Sequence, residues 1–150
     1  MSDFSFEELR NIHRREKKET GLSELDENFY KKLALLIKEL KENYKTNPNP
    51  ENLRELENIN KLANDLFFLR EQKLVLKALR SVRTSKKKRE NLTPEEERVF
   101  TSIVKILEQN RKFFESVIEG VYPEGKSTEP TKEIPKTILN FLKTNQRLMK

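Results

Sequence analysis

The sequence predicts an all-α protein: a helical bundle of four main helices around a long central helix, plus a short C-terminal helix. Three observations carry that expectation. Apolar residues recur at three- and four-residue steps over long stretches, a spacing that suits a helix and does not suit a strand. Only 3 glycines interrupt 150 residues. The periodic stretches are also bounded by recognisable helix starts and stops, at Ser5, Asn49-Pro50, Thr93-Pro94 and Gly120.

The central element runs from Leu53 to Arg83, with apolar residues at Leu53, Leu56, Ile59, Leu62, Ala63, Leu66, Phe67, Leu69, Leu74, Ala78 and Val82. Asn49 can cap it and Pro50 can take its first helical position. It would be about 45 Å long at 1.5 Å per residue. Around Leu66–Leu69 and Leu74–Leu76 the apolar residues cover most of the circumference, so the helix must be covered on several sides. The other helices are expected to wrap it, with some apolar surface left for a partner.

The remaining elements follow in order. Ser5 and Glu8 form an S-x-x-E capping box that starts a first helix near Phe6, with Leu9 and Ile12 on one face. Gly21 ends that segment or sits just past its end. Ser23 or Asp26 starts the second helix, whose stripe is Phe29, Leu33, Leu36, Leu40 and Tyr44. The segment Thr46 to Pro50, TNPNP, breaks it. Thr93 as cap, Pro94 at the first position and Glu96 closing the box start the fourth helix, and Glu95–Glu97 suit the positive end of its dipole. Its stripe is Val99, Phe100, Ile103, Ile106, Leu107, Phe113, Phe114, Val117 and Ile118, and Gly120 is the stop. Residues 1–120 thus read as one helical domain, 121–133 as a linker, and 134–150 as a short C-terminal helix with Ile138, Phe141, Leu142 and Leu148 on one side.

Composition narrows the function. Charged residues make up 37% and hydrophobic ones 34%, which is polar yet patterned and reads as folded. The chain contains no cysteine, so it has no disulfide framework and no thiolate metal site, and it fits a reducing cytoplasm. No apolar run approaches the ~20 residues of a membrane span. The net charge of +6 is local. Residues 1–79 carry 15 basic and 15 acidic groups, whereas 80–89 carry six basic groups and no acid: Arg80, Arg83, Lys86, Lys87, Lys88 and Arg89. Like charges this dense repel, which predicts a solvated connector. The patch can contact phosphates in a salt-dependent way, but it lacks the interleaved aromatics that stack on bases.

Two motifs invite a chemical reading. Gly120-Val-Tyr-Pro-Glu-Gly125-Lys126-Ser127 matches the G-x-x-x-x-G-K-[ST] phosphate loop letter for letter. That motif needs a buried strand before it and a helix after it. Here a helix precedes it and Thr-Glu-Pro follows, so a helix stop at Gly120 and a turn at Gly125 explain the letters better. His13 is the only histidine, and one histidine on a charged helix makes neither a catalytic dyad nor a metal cluster. The sequence predicts no enzyme and no cofactor. Phe67–Phe68 and Phe113–Phe114 read as core, with neighbouring rings about 100° apart, so one of each pair can face inward and the other a neighbouring subunit.

The order of segments resembles a known family. FEELRNIHRRE opens the chain. Leu25-Asp26 with Phe29-Tyr30 starts the second helix, Arg70, Lys73 and Ala78-Leu79 mark the central one, and Leu92-Thr-Pro-Glu-Glu with Phe100 begins the fourth. Over about residues 6–118 this is similar to the α-helical domain of GINS replication-complex subunits, nearest the archaeal class with the helical domain first. The resemblance implies a non-enzymatic scaffold. It implies homo- or heterotetrameric assembly with other GINS subunits, partnership with the MCM helicase and a Cdc45/RecJ-like protein, and contact with primase or polymerase, at replication forks in the cytoplasm. Leu66, Phe67, Phe68, Leu74, Phe113 and Phe114 are then the interface candidates, with core and interface roles unassigned among them. The small β domain usual in that class is not legible in residues 126–150. An alternative reading is a basic helical nucleic-acid-binding protein that uses the Arg80–Arg89 patch.

Overall fold

The structure, a computed structural model, describes residues 4–84 and 90–124. It is all-α: α1 (Phe6–Lys18), α2 (Phe29–Thr46), α3 (Pro50–Thr84) and α4 (Pro94–Ile118), with no strand among the described residues. The expected linker from 125 on and the short C-terminal helix lie outside the described residues. Two compact units divide the chain. The first takes in the chain up to Arg70 together with Asn91–Thr93, and the second takes in Glu71–Glu90 and the chain from Pro94 on. The boundary falls within α3, which continues through it as one helix of 35 residues.

The helix ends follow local chemistry. The Ser5 hydroxyl oxygen accepts the Glu8 backbone N–H at 3.2 Å, which supplies the cap of α1. Glu7 and Glu8 in the first turn, and Arg15, Lys17 and Lys18 in the last, oppose the helix dipole. At α3, the Asn49 side-chain oxygen accepts the Asn52 N–H at 2.8 Å, and Pro50 takes the first helical position. The Asn52 amide in turn donates to the Asn47 carbonyl at 2.9 Å, which ties down the tight connection from α2.

The start of α2 departs from expectation. Neither Ser23 nor Asp26 caps it; the helix begins at Phe29 after Asn28, whose side chain makes no capping bond. Ser23 is buried, with its hydroxyl and its N–H both committed to Glu16. Asp26 instead heads a turn: its carbonyl accepts from Phe29 N–H at 2.9 Å, its carboxylate accepts from Asn28 N–H, and it pairs with Lys32. The Lys32 hydrogen bond, then the Asn28 N–H, hold the Asp26 carboxyl below its usual range.

The core of the first unit joins Phe4, Leu9, Phe29, Leu33, Leu36, Ile59 and Leu66. The Phe4 and Phe29 rings meet edge to face with centroids 5.7 Å apart, and Phe29 meets Tyr30 at 5.1 Å. The predicted α2 stripe holds this core with its first three members, while Leu40 packs against it partly buried. In the second unit, Leu74, Val75 and Ala78 of α3 and Phe100, Ile103 and Val104 of α4 are buried.

Gly120 stops α4 with φ +83. Its N–H donates to the Val117 carbonyl at 3.0 Å, and Val121 N–H donates to the Ser116 carbonyl at 2.8 Å. That pair of bonds is a Schellman closure, and it explains why a glycine stands there. Gly120 is therefore accounted for as a helix terminator; Gly125, Lys126 and Ser127 lie outside the described residues. Beyond the stop, the Tyr122 ring meets Phe113 edge to face at 6.0 Å, which folds the chain back against α4.

Candidate functional site

The first unit is centred on a buried ionic network. Arg70 of α3 reaches Glu16 of α1, Nη1 to Oε1, at 2.5 Å. The side chains are 1% and 0% exposed. Arg70 Nη1 also donates to the Ser23 carbonyl at 2.9 Å, and Nη2 donates to the Asn91 carbonyl at 2.9 Å. Glu16 takes the Ser23 hydroxyl at 2.7 Å and the Ser23 N–H at 3.1 Å. Asn91, held at φ +65, donates its side-chain amide to the Leu22 carbonyl at 3.0 Å. Asparagine is among the few residues that enter this left-handed region readily, and here its amide is used as well.

A buried charge pair is tolerated only when its remaining donors and acceptors are satisfied. No buried side-chain nitrogen or oxygen among the described residues lacks a hydrogen-bond partner. The network is thus a three-way clamp: one guanidinium binds α1, the α1–α2 connection and Asn91, which lies between the basic segment and α4. Its geometry leaves no room for a substrate and points to architecture. Sequence reading missed it. The signal was present, because Arg70 stands four residues after Leu66 and four before Leu74, within the buried stripe of α3, and Glu16 stands seven after Leu9.

The interface candidates divide by burial. Leu66 and Leu74 are interior residues of the first and second units respectively. Phe67 and Phe68 are 52% and 42% exposed. The expectation that one of this pair faces the core is corrected: Leu66 and Arg70 occupy the inward positions of that turn, and both rings are left outside. Phe113 is half-buried and Phe114 is 58% exposed.

Two apolar grooves accompany these residues. In the first unit, a groove of about 400 Å³ is lined by Tyr30, Leu33, Ile37, Ala63 and Phe67, with Lys41 among its polar members. In the second unit, a groove of about 390 Å³ is lined by Leu79, Val82, Leu107 and Phe114, with Arg111 and Glu115 among its polar members.

Arg80 and Arg83 are exposed on the last turns of α3. Lys86, Lys87, Lys88 and Arg89 lie outside the described residues. His13 is half-buried on α1; burial and Lys17 lower its pKa, and Asp65 opposes them. Among the described residues no three His, Cys, Asp or Glu side chains gather as a metal ion would require, and no helix is long and apolar enough to cross a membrane.

Comparison with known proteins gives this architecture a family. No curated protein and no solved structure matches the chain significantly. Residues 6–129 match the family model of the GINS complex subunit Psf2/Psf3-like N-terminal domain. The match covers all four helices and both partners of the Arg70–Glu16 pair. With most of its length so matched, the chain belongs to the GINS family of structural replication-complex subunits.

Proposed function

We propose that the chain is a non-enzymatic subunit of a GINS-type complex, of the archaeal class with the helical domain first, that assembles with and stimulates the replicative MCM helicase. Its nearest partners are other GINS subunits, in a homo- or heterotetramer. The assembled complex then engages the helicase and a Cdc45/RecJ-like protein, and contacts primase or polymerase.

Family membership supports this reading, and one observation carries it to particular residues. Phe67 and Phe68 stand side by side on α3, both exposed, on a helix whose inward positions are already filled. Two half-exposed phenylalanine rings are costly to leave in water. Covering both gains roughly 2–3 kcal/mol, given that fully burying such a side chain is worth ~1.5–3 kcal/mol. A neighbouring subunit is the natural cover, and the adjacent groove at Phe67 offers it a place to dock.

The test is solution mass by light scattering in high salt, with the chain alone and mixed with a second GINS subunit. A stable dimer, tetramer or hetero-oligomer is expected, and the assembled complex should raise the unwinding rate of the MCM ring. A chain that stays monomeric with every GINS partner, and leaves unwinding unchanged, overturns the proposal. If such a monomer binds DNA with an affinity that collapses as salt rises, the alternative through Arg80–Arg89 replaces it.

A further inference from the structure

The groove between Leu79, Val82, Leu107 and Phe114 belongs to the second unit, and its apolar lining is open to solvent. We propose that its occupant is the chain's own segment 135–150. This inference does not depend on the replication reading.

Three observations point to that occupant. First, the chain leaves α4 within reach of the groove. After the Schellman closure at Gly120, Tyr122 lies edge-on against Phe113, and the next residue of α4, Phe114, lines the groove. From Glu124, the ten residues 125–134 reach up to about 33 Å at ~3.3 Å each, close to the length of α4 itself. Residue 135 can therefore be brought to any part of the groove.

Second, the segment has matching apolar content. PKTILNFLKTNQRLMK places Ile138, Phe141 and Leu142 at i, i+3 and i+4, a spacing that puts them on one side of a helical turn. That triplet suits a groove built from three aliphatic side chains and one phenylalanine.

Third, the segment is tethered: a short linker gives it an effective concentration on the order of millimolar, which favours it over a free partner of equal intrinsic affinity at micromolar abundance.

The test uses the full chain with the photo-reactive residue p-benzoylphenylalanine at position 114, irradiated and mapped by tryptic mass spectrometry. The expected product is an intrachain cross-link from position 114 into residues 135–150. Its yield should be unchanged over about a hundredfold dilution, as intramolecular contact requires. It should be lost in the Phe141→Asp/Leu142→Asp variant. The reciprocal probe at position 141 should label residues 107–115, which guards against an effect of altering Phe114 itself. Cross-links that join two chains and fade on dilution would assign the groove to a second copy and overturn the proposal. So would the absence of any product between position 114 and residues 135–150.

Discussion

Arg70 and Glu16 stand 54 residues apart in sequence and meet as a buried ion pair at 2.5 Å. Around them, the Ser23 hydroxyl donates to Glu16, and the Ser23 and Asn91 carbonyls accept from Arg70. Removal of one partner strands the other charge in the interior. Arg70→Met is therefore expected to cost about 3–5 kcal/mol, a large part of the 5–15 kcal/mol that holds a typical domain together. Urea denaturation measures it. Glu16→Leu added to Arg70→Met should restore part of the loss, because the pair is then removed together. Additive losses in the double variant would show that the two residues do not act as a pair.

The Asn49 cap and the Gly120 stop test the local reading of helix ends. Asn49→Ala removes the acceptor of the Asn52 N–H and should cost about 1 kcal/mol. Gly120→Ala forces a Cβ into the left-handed region and should cost roughly 1 kcal/mol, even though no atom lies within 4 Å of the added carbon. Thermal unfolding checks the cause: Gly120→Asn, which enters the left-handed region more readily, should lose less than Gly120→Ala, and equal losses would contradict a backbone origin.

Phe67→Asp and Phe68→Asp should behave differently from any core substitution. Each ring is about half exposed, so the fold should lose about 1 kcal/mol per substitution, well below the ~3–5 kcal/mol of removing a core phenylalanine. Association with other GINS subunits should be lost. Light scattering and unfolding on the same samples distinguish the two effects. A fall in melting temperature without a change in mass would place the rings in the fold after all.

His13 should give stability a modest dependence on pH near neutrality. Burial, then Lys17, lower its pKa in the folded chain, with Asp65 working against them. The unfolded chain therefore takes up its proton first as pH falls. Stability should be greatest above the unfolded value of ~6.5 and should decline as pH drops from there through the lower folded value. Urea midpoints at pH 7.5 and 5.5 should differ less in His13→Gln. An unchanged difference would assign the dependence to another group.

Much of this protein is written locally. Asn49 with Pro50, Ser5 with Glu8, and Gly120 each act over three to five residues, so their effect on the backbone can be read from neighbours in sequence. The stripe Phe29, Leu33, Leu36 likewise names its own buried face through the period of the helix. The start of α2 escaped that logic for a tertiary reason. Ser23 has the chemistry of a cap, but Glu16 of the preceding helix claims both its hydroxyl and its N–H.

Periodicity, caps and the order of segments were enough for the helical class, the main helices, most of their ends and the family resemblance, because each is a local property of the chain. Which charged side chains are enclosed and which aromatic ones are left outside depends on packing between distant segments. Arg70 and Glu16, two residue types normally at the surface, are interior because each neutralises the other across 54 positions. Phe67 and Phe68, two residue types normally interior, are outside because Leu66 and Arg70 already fill the inward positions of their turn. Apolar or charged identity is a property of one residue. Burial depends on every group packed around it, and those groups come together only when distant segments fold onto one another.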